Sequence, residues 1–281
     1  MPIPNYGDKY DSPALFSAAD AIDGQGGDAG VEIPKAVIIT YQRDFFEKIL
    51  AERTGDPIPI VRDFEVHPID ETVGVVGGFS IGAPATGTVA ENLIAAGAEA
   101  LCIVGGSGTL QRSIEPTDAI IADEAIRDEG VSYHYLPPEA EAEPSPELTD
   151  HLEARFEESE VTTHRGTTWT TSAFYRETVA EIEEYADAGV VSVEMEAAAL
   201  FAVAEFRGVD AAAVFDIGDL LTEEEWDPGT EYENVQPKLL GPAIAALHDH
   251  LDAEESDAEG SDSEESDSEE SDSEESDSEE S

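Results

Sequence analysis

The stretch GVVSVEMEAAALFAVAEFRGVDAAAVFDIGDLL, residues 189–221, decides how the rest of the chain is read. Two short apolar runs, GVVSV and AAAVFDIG, flank an alanine-rich segment with helical spacing. Strand, helix and strand in that order make the unit of a largely parallel sheet. Three carboxylates stand where the runs end: Glu194 and Glu196 after the first, Asp219 after the second. Parallel sheets bind ligands beyond the carboxyl ends of their strands, so these acids mark a candidate site.

Residues two apart on an α-helix point about 200° apart, so Glu194 and Glu196 do not share one solvent face. Glu196 aligns with Ala199, Leu200 and Val203, a core-facing stripe. A carboxylate aimed into apolar surroundings needs hydrogen-bond donors or stays protonated, and the paired hydroxyls of a ribose would serve. The structural alternative is acids at a helix start, favoured by about 0.3–1 kcal/mol each. Asp219 reads either as an ordinary turn residue or as a carboxyl with a raised pKa that can donate a proton near neutrality.

The same alternation extends outward. KAVIIT (35–40), VGVVGG (73–78), EALCIVGG (99–106) and DAIIADEAIR (118–127) read as strands. Helical spacing follows in RDFFEKILAERTG, ATGTVAENLIAAGA, PELTDHLEARFEES and QPKLLGPAIAALHDHLDA. Strands separated by helices predict an α/β domain over 35–251, its sheet covered on both faces. Residues 1–34 form an N-terminal extension. From 252 the chain turns to Ser, Asp and Glu, and 261–281 repeat a five-residue unit with no apolar residue. Such a tract has nothing to bury and is expected to be disordered, a solvating brush or a docking tail.

The charge is extreme: 66 acids against 13 bases give a formal net of -53. The tail from Asp252 holds 17 acids and no base, leaving 49 acids and a net of -36 for residues 1–251. Self-repulsion on that scale is relieved in molar salt, where the Debye length is about 3 Å, so a salt-rich, halophilic interior is expected. Nucleic acid and anionic membranes both need basic patches and are not expected partners. Cys102 stands alone in an apolar run and reads as a small buried residue in a reducing compartment. No run reaches the ~20 apolar residues of a membrane helix, and the start lacks a signal pattern, so a cytoplasmic location is expected.

The Gly-rich GGSG (105–108) reads equally as an anion-binding nest of backbone N–H groups or as a tight turn. It is not a P-loop, because no Gly-Lys-Ser/Thr follows, and Gly105-Gly106-Ser107-Gly108-Thr109 lacks the last glycine of a nucleophile elbow. The six histidines are scattered without paired cysteines, so no metal site is expected.

These residues together resemble the nucleoside phosphorylase family of uridine phosphorylases and hexameric purine nucleoside phosphorylases. The resemblance rests on VSVEMEAAALFAVAEFRGVDA followed by Gly-Asp, on GGFSIGAPATGTVAENLIAAGAEALCIVGGSGTLQ, and on GTTWTTSAFYRET (166–178). It covers most of residues 35–250 and implies a three-layer α/β/α sandwich around a mixed, largely parallel sheet. The implied reaction is reversible cleavage of a ribonucleoside, uridine or a purine nucleoside, by phosphate into free base and ribose 1-phosphate. By that resemblance Glu196 binds the ribose 2′- and 3′-hydroxyls, Met195 packs on the sugar and Glu194 lies beside them. Phe174 and Tyr175 match a base-binding pair, with Phe174 stacking, and Asp219 protonates or hydrogen-bonds a purine leaving group. No cofactor is implied beyond phosphate as co-substrate, and a homo-oligomer, dimer or hexamer, is expected.

The chain departs from the family at both phosphate loops and so resembles an atypical branch. TYQRDFF stands where Gly-Asp-Pro-x-Arg is usual, and Ile103-Val104-Gly105-Gly106 where Arg-Val-Gly-Thr/Ser is usual. The phosphate site then falls to Gly105, Gly106 and Ser107, with Arg43, Arg127 or Arg176 in place of the lost arginines. Loss of charge-assisted contacts, about 1.5–3 kcal/mol each, favours as alternatives a hydrolytic nucleosidase of the same fold or a non-catalytic nucleoside-binding protein.

Overall fold

A computed structural model describes residues 9–272 apart from Asp11, Thr54, Asp63 and Glu233, with side chains described as far as Ser256. The strands are β1 (Ala36–Ile39), β2 (Ile58–Val61), β3 (Phe64–Pro68), β4 (Val73–Val76), β5 (Ala100–Thr109), β6 (Ala119–Asp128), β7 (Thr163–Thr171), β8 (Ser192–Glu194), β9 (Asp210–Leu221) and β10 (Trp226–Asp227). The helices are α1 (Ala18–Gly24), α2 (Arg43–Arg53), α3 (Ala83–Ala95), α4 (Pro146–Glu157), α5 (Val179–Asp187), α6 (Ala197–Arg207) and α7 (Gln236–Asp272).

The strands form one mixed sheet in the order β10-β9-β6-β7-β8-β5-β1-β4-β3-β2, and β9 also pairs with β5. The pairings β4–β1, β1–β5, β5–β9, β6–β7 and β7–β8 are parallel, whereas β9 meets β6 and β8 meets β5 antiparallel. The long β9 thus curls the sheet into a ring through β5, β8, β7 and β6.

Alternate residues along the central strands serve two cores, as the two-residue strand period requires. Val37, Ile39, Leu101, Ile103, Ala211 and Ala213 pack with Leu93 of α3 and Leu200 of α6. Ala36, Ile38, Ala100, Cys102, Ala212 and Val214 pack on the other face with Ile49, Leu152 and Leu247 of α2, α4 and α7. This is the expected α/β/α sandwich. Cys102 is buried and its thiol is pushed up to about 12 by desolvation, which leaves it an inert core residue.

Three features add detail to the expected layout. The described part of the N-terminal extension is built into the fold, since Ile22 of α1 is buried in the first core. α7 continues past residue 252 as far as Asp272. Residues 273–281 lie outside the described residues. The strand after residue 189 is shorter and the one after 99 longer than the sequence suggests, with consequences for the site below. Among the described residues no helix is long and apolar enough to cross a membrane.

Candidate active site

The carboxyl ends of β1, β5, β8 and β9 converge on a cavity of about 720 Å³. Of the residues singled out from sequence, Arg43, Gly106, Ser107, Phe174, Glu194, Met195, Glu196 and Asp219 all line it. They come from five separate segments that the sheet brings together.

At its centre lies the turn from β8 into α6. Glu194 ends the strand and Glu196 stands one residue before the helix. The first-turn N–H groups of a helix have no intrahelical acceptor. Here the Glu196 and Ala197 amides donate to Glu194 Oε2 at 2.6 and 2.7 Å, and the Thr170 hydroxyl donates to Oε1. The Ala198 amide donates to Thr170 Oγ1 at 3.0 Å. Glu194 is therefore committed to fixing the turn. Glu196 accepts a hydrogen bond from the Gly82 amide at 2.6 Å. Gly82 has φ +89°, a left-handed value suited to glycine, and so aims its N–H at this carboxylate from the start of α3. Burial pushes the Glu194 carboxyl up to about 8, reinforced by Glu196, and raises Glu196 to about 7. Tyr41, whose hydroxyl bonds Thr86 Oγ1 at 2.7 Å, also borders the cavity.

Asp219 does not follow its strand but belongs to it. Ser107 pairs with Ile217 and Gly108 with Asp219, so Gly218 is an extra residue in β9. A bulge of this kind re-aims the side chain that follows. A Cβ at Gly108 would come within 2.5 Å of Asp219 Oδ1, so the glycine clears space for the carboxylate. Burial raises the Asp219 pKa, opposed by the Trp226 indole, whose Nε1 donates to Oδ2 at 2.7 Å. Phe174 is half exposed beside it, while Tyr175 is 92% exposed and faces a second, adjoining cavity of about 380 Å³. Phe174 thus lines both cavities, and Tyr175 lines the smaller one.

The phosphate end departs from the expectation. GGSG is not a nest, since residues 105–108 are extended strand and none has a positive φ. A nest needs alternating helical handedness, and here the backbone is already paired with β9 and, at Gly108, with β8. Gly105 sits against the Phe215 ring, outside the cavity lining. Arg127 is a structural residue. Its Nε donates to Ser132 Oγ at 2.9 Å, its Nη1 to Pro137 and Ala140 carbonyls at 2.8 and 2.6 Å, and its Nη2 to Leu136 at 2.9 Å. With those donors used and the Tyr133 ring 4.2 Å from its guanidinium carbon, it has no reach to a ligand. Arg176 is exposed and also absent from the cavity wall. Among the described residues Arg43, at the start of α2, is the one cation that lines it.

Sequence reasoning missed four lining groups. Asp216 faces the same space, its pKa raised to about 6 by burial. Gln42 and Gln236 lie next to it, with Gln236 Nε2 donating to Gln42 Oε1 at 2.7 Å. Glu177 lines both cavities, and burial followed by Asp219 raises it to about 7. A lone acid inside the apolar run AAAVFDIG was the available signal for Asp216. Away from this cavity, Asp210, His250 and Glu254 gather at the opposite end of the sheet. His250 Nε2 is 3.1 Å from Asp210 Oδ2, a partly buried contact.

Comparison with known proteins identifies the family. The model of the phosphorylase superfamily matches residues 45–247. A guanosine phosphorylase of Halorubrum lacusprofundi is 32% identical over 134 residues, 48% of this chain and 56% of that protein. A uridine phosphorylase of Thermococcus kodakarensis is 35% identical over 150 residues, 48% of this chain and 53% of that protein. The alignments thus span about half the length of these curated relatives. A crystal structure of uridine phosphorylase from Vibrio fischeri shares the fold with a TM-score of 0.64 at 22% identity, covering 78% of this chain and 94% of that one. With its family match running from α2 to α7, the chain belongs to the phosphorylase superfamily.

Proposed function

We propose that the chain cleaves a purine ribonucleoside with phosphate, releasing the free base and ribose 1-phosphate. The observation that carries this reading is the placement of Glu196, Asp219 and Phe174 on one cavity. Glu196, held by the Gly82 amide, accepts from the ribose 2′- and 3′-hydroxyls. A phosphate oxygen attacks C1′ as the C1′–N bond breaks, and the bond's electron pair moves into the base. Asp219 hydrogen-bonds or protonates the purine at N7 as that charge develops. The transition state resembles an oxocarbenium ion, and holding sugar, base and phosphate together supplies much of the acceleration. The raised pKa of Asp219 favours a purine, which offers N7 as a proton acceptor. Relatives named for guanosine, uridine and purine nucleosides agree on phosphorolysis and differ in the base.

One observation favours hydrolysis as the second reading. At the end away from the base, Asp216 and two glutamines flank a single arginine. A carboxylate there repels phosphate dianion and suits a water nucleophile. Base release from a ribonucleoside panel in molar KCl, with and without phosphate, separates the two. Phosphorolysis gives release that depends on phosphate and yields ribose 1-phosphate; phosphate-independent release of free ribose overturns it. Binding without turnover under either condition would mark a non-catalytic protein. We propose further that the protein acts as a homo-oligomer and that the acidic tail only solvates it.

A further inference from the structure

We infer that Asp216 makes the nucleophile end of the cavity selective for a protonated oxyanion. Phosphate is recognised through its P–OH group, which donates to the Asp216 carboxylate; sulfate, which carries no proton near neutrality, is rejected. The inference rests on the phosphorolysis reading above and names what the site demands of its co-substrate.

The geometry begins at Gly106. It pairs with Asp216 across β5 and β9, so the two residues sit side by side on neighbouring strands. A Cβ on Gly106 would stand 3.0 Å from Asp216 Oδ1 and 2.8 Å from Gln42 Nε2. The glycine therefore keeps open one space bordered by an acceptor and a donor, and all three residues line the cavity. The polarity of Gln42 is set from behind: Gln236 Nε2 donates to Gln42 Oε1 at 2.7 Å, which leaves the Gln42 amino group to face the space. Gln236 is buried, so this brace is not a surface contact. Burial raises the Asp216 pKa to about 6, opposed by the main-chain amides of Asp216 and Gln236, and the group stays largely ionised near neutrality.

That pair of groups selects the ligand. An ionised carboxylate accepts hydrogen bonds and donates none, so a bare oxyanion oxygen facing it meets only repulsion. An O–H in the same place forms a short, charge-assisted bond. Hydrogen phosphate carries one such hydrogen and keeps unprotonated oxygens for Gln42 Nε2 and for attack at C1′. As the C1′–O bond forms and the C1′–N bond breaks, the hydrogen stays on its own phosphate oxygen, and ribose 1-phosphate leaves with it. Sulfate has the same tetrahedral shape and the same double charge without the hydrogen. The surroundings sharpen the contrast: among the described lining residues Arg43 is the one cation, against Asp44, Glu177, Glu194, Glu196 and Asp219. Little positive charge is present there to hold a bare dianion.

Competition between anions tests this. Base release from a purine ribonucleoside in molar KCl is followed against phosphate concentration, with arsenate or sulfate as the second anion at matched ionic strength. Native protein and Asp216→Asn are compared, and anion-induced shifts of the melting midpoint report binding without turnover. Arsenate, which keeps a proton as phosphate does, should replace phosphate, whereas sulfate should bind the native protein at least about 10²-fold more weakly than phosphate. Asparagine puts an N–H donor where the carboxylate accepts, so the variant should narrow the sulfate-to-phosphate ratio at least about tenfold. Sulfate binding to the native protein as tightly as phosphate, or an unchanged ratio in the variant, overturns the assignment and leaves phosphorolysis standing. The native ratio decides alone should the variant not fold. Base release by the native protein that ignores phosphate and arsenate alike would instead refute the underlying reaction.

Discussion

Replacing Glu196 by glutamine removes charge from the sugar site with almost no change in shape. The Gly82 amide already occupies one acceptor position on Oε1, and a carboxylate has about four, so two ribose hydroxyls can be accommodated. A hydrogen bond to a charged acceptor contributes about 1.5–3 kcal/mol and a neutral one about 0.5–1.5, a difference of about 1–1.5 for each hydroxyl. Two hydroxyls therefore lose about 2–3 kcal/mol, equivalent to a fall of about 30- to 150-fold in kcat/KM. A 2′-deoxynucleoside offers one hydroxyl fewer and should suffer about the square root of that loss. The assay is initial-rate base release from both nucleosides in molar KCl, by native protein and Glu196→Gln. A variant within about twofold of the native protein, or one that penalises ribo- and deoxyribonucleosides equally, would refute the sugar-site role.

Other predictions follow from the same site and its surroundings. Glu194 and Glu196 are raised from 4.5 to about 8 and about 7, so the folded state holds more protons than the unfolded chain across that window. Stability must then fall as pH rises from about 4.5 to about 8, the reverse of ordinary acid denaturation. Melting in molar KCl should show a lower midpoint at about pH 8.5 than at about pH 6, with Glu194→Gln flattening the difference; an unchanged slope contradicts the burial of these acids. Arg127→Met leaves three carbonyls and the Ser132 hydroxyl without their donor and should cost about 3 kcal/mol or more, read as denaturation midpoint. A specific rise in the phosphate KM, with stability intact, would return Arg127 to the anion site. Deleting residues 257–281 should leave kcat and KM unchanged in molar KCl, and a large loss of turnover would show that the tail acts on catalysis.

Much of the arrangement was legible because it is written in local pattern. The apolar runs at 36–39, 100–104 and 211–215 fix the central strands, and Glu196 betrays its inward aim through its register with Ala199, Leu200 and Val203. What was not legible depends on pairing between distant segments. The extension of β5 through GGSG follows from its partnership with β9 and β8, which no local glycine pattern announces. The bulge at Gly218 that places Asp219 exists only opposite Ser107 and Gly108. Arg127 looked available because its acceptors are backbone carbonyls at 136, 137 and 140, which carry no side-chain signature. Glu177 reads as the lead into a capped helix until the fold sets it beside Asp219 and Phe174.

The most direct test of the central claim runs the reaction backwards. Purified protein in molar KCl is given ribose 1-phosphate with guanine or hypoxanthine, and nucleoside and released phosphate are measured together. Phosphorolysis at this cavity predicts one phosphate released for each nucleoside formed, with synthesis strongly reduced in Glu196→Gln. Absence of synthesis from a protein that releases base and free ribose from the same nucleoside without phosphate would contradict it, and would make Asp216 the base of a hydrolase.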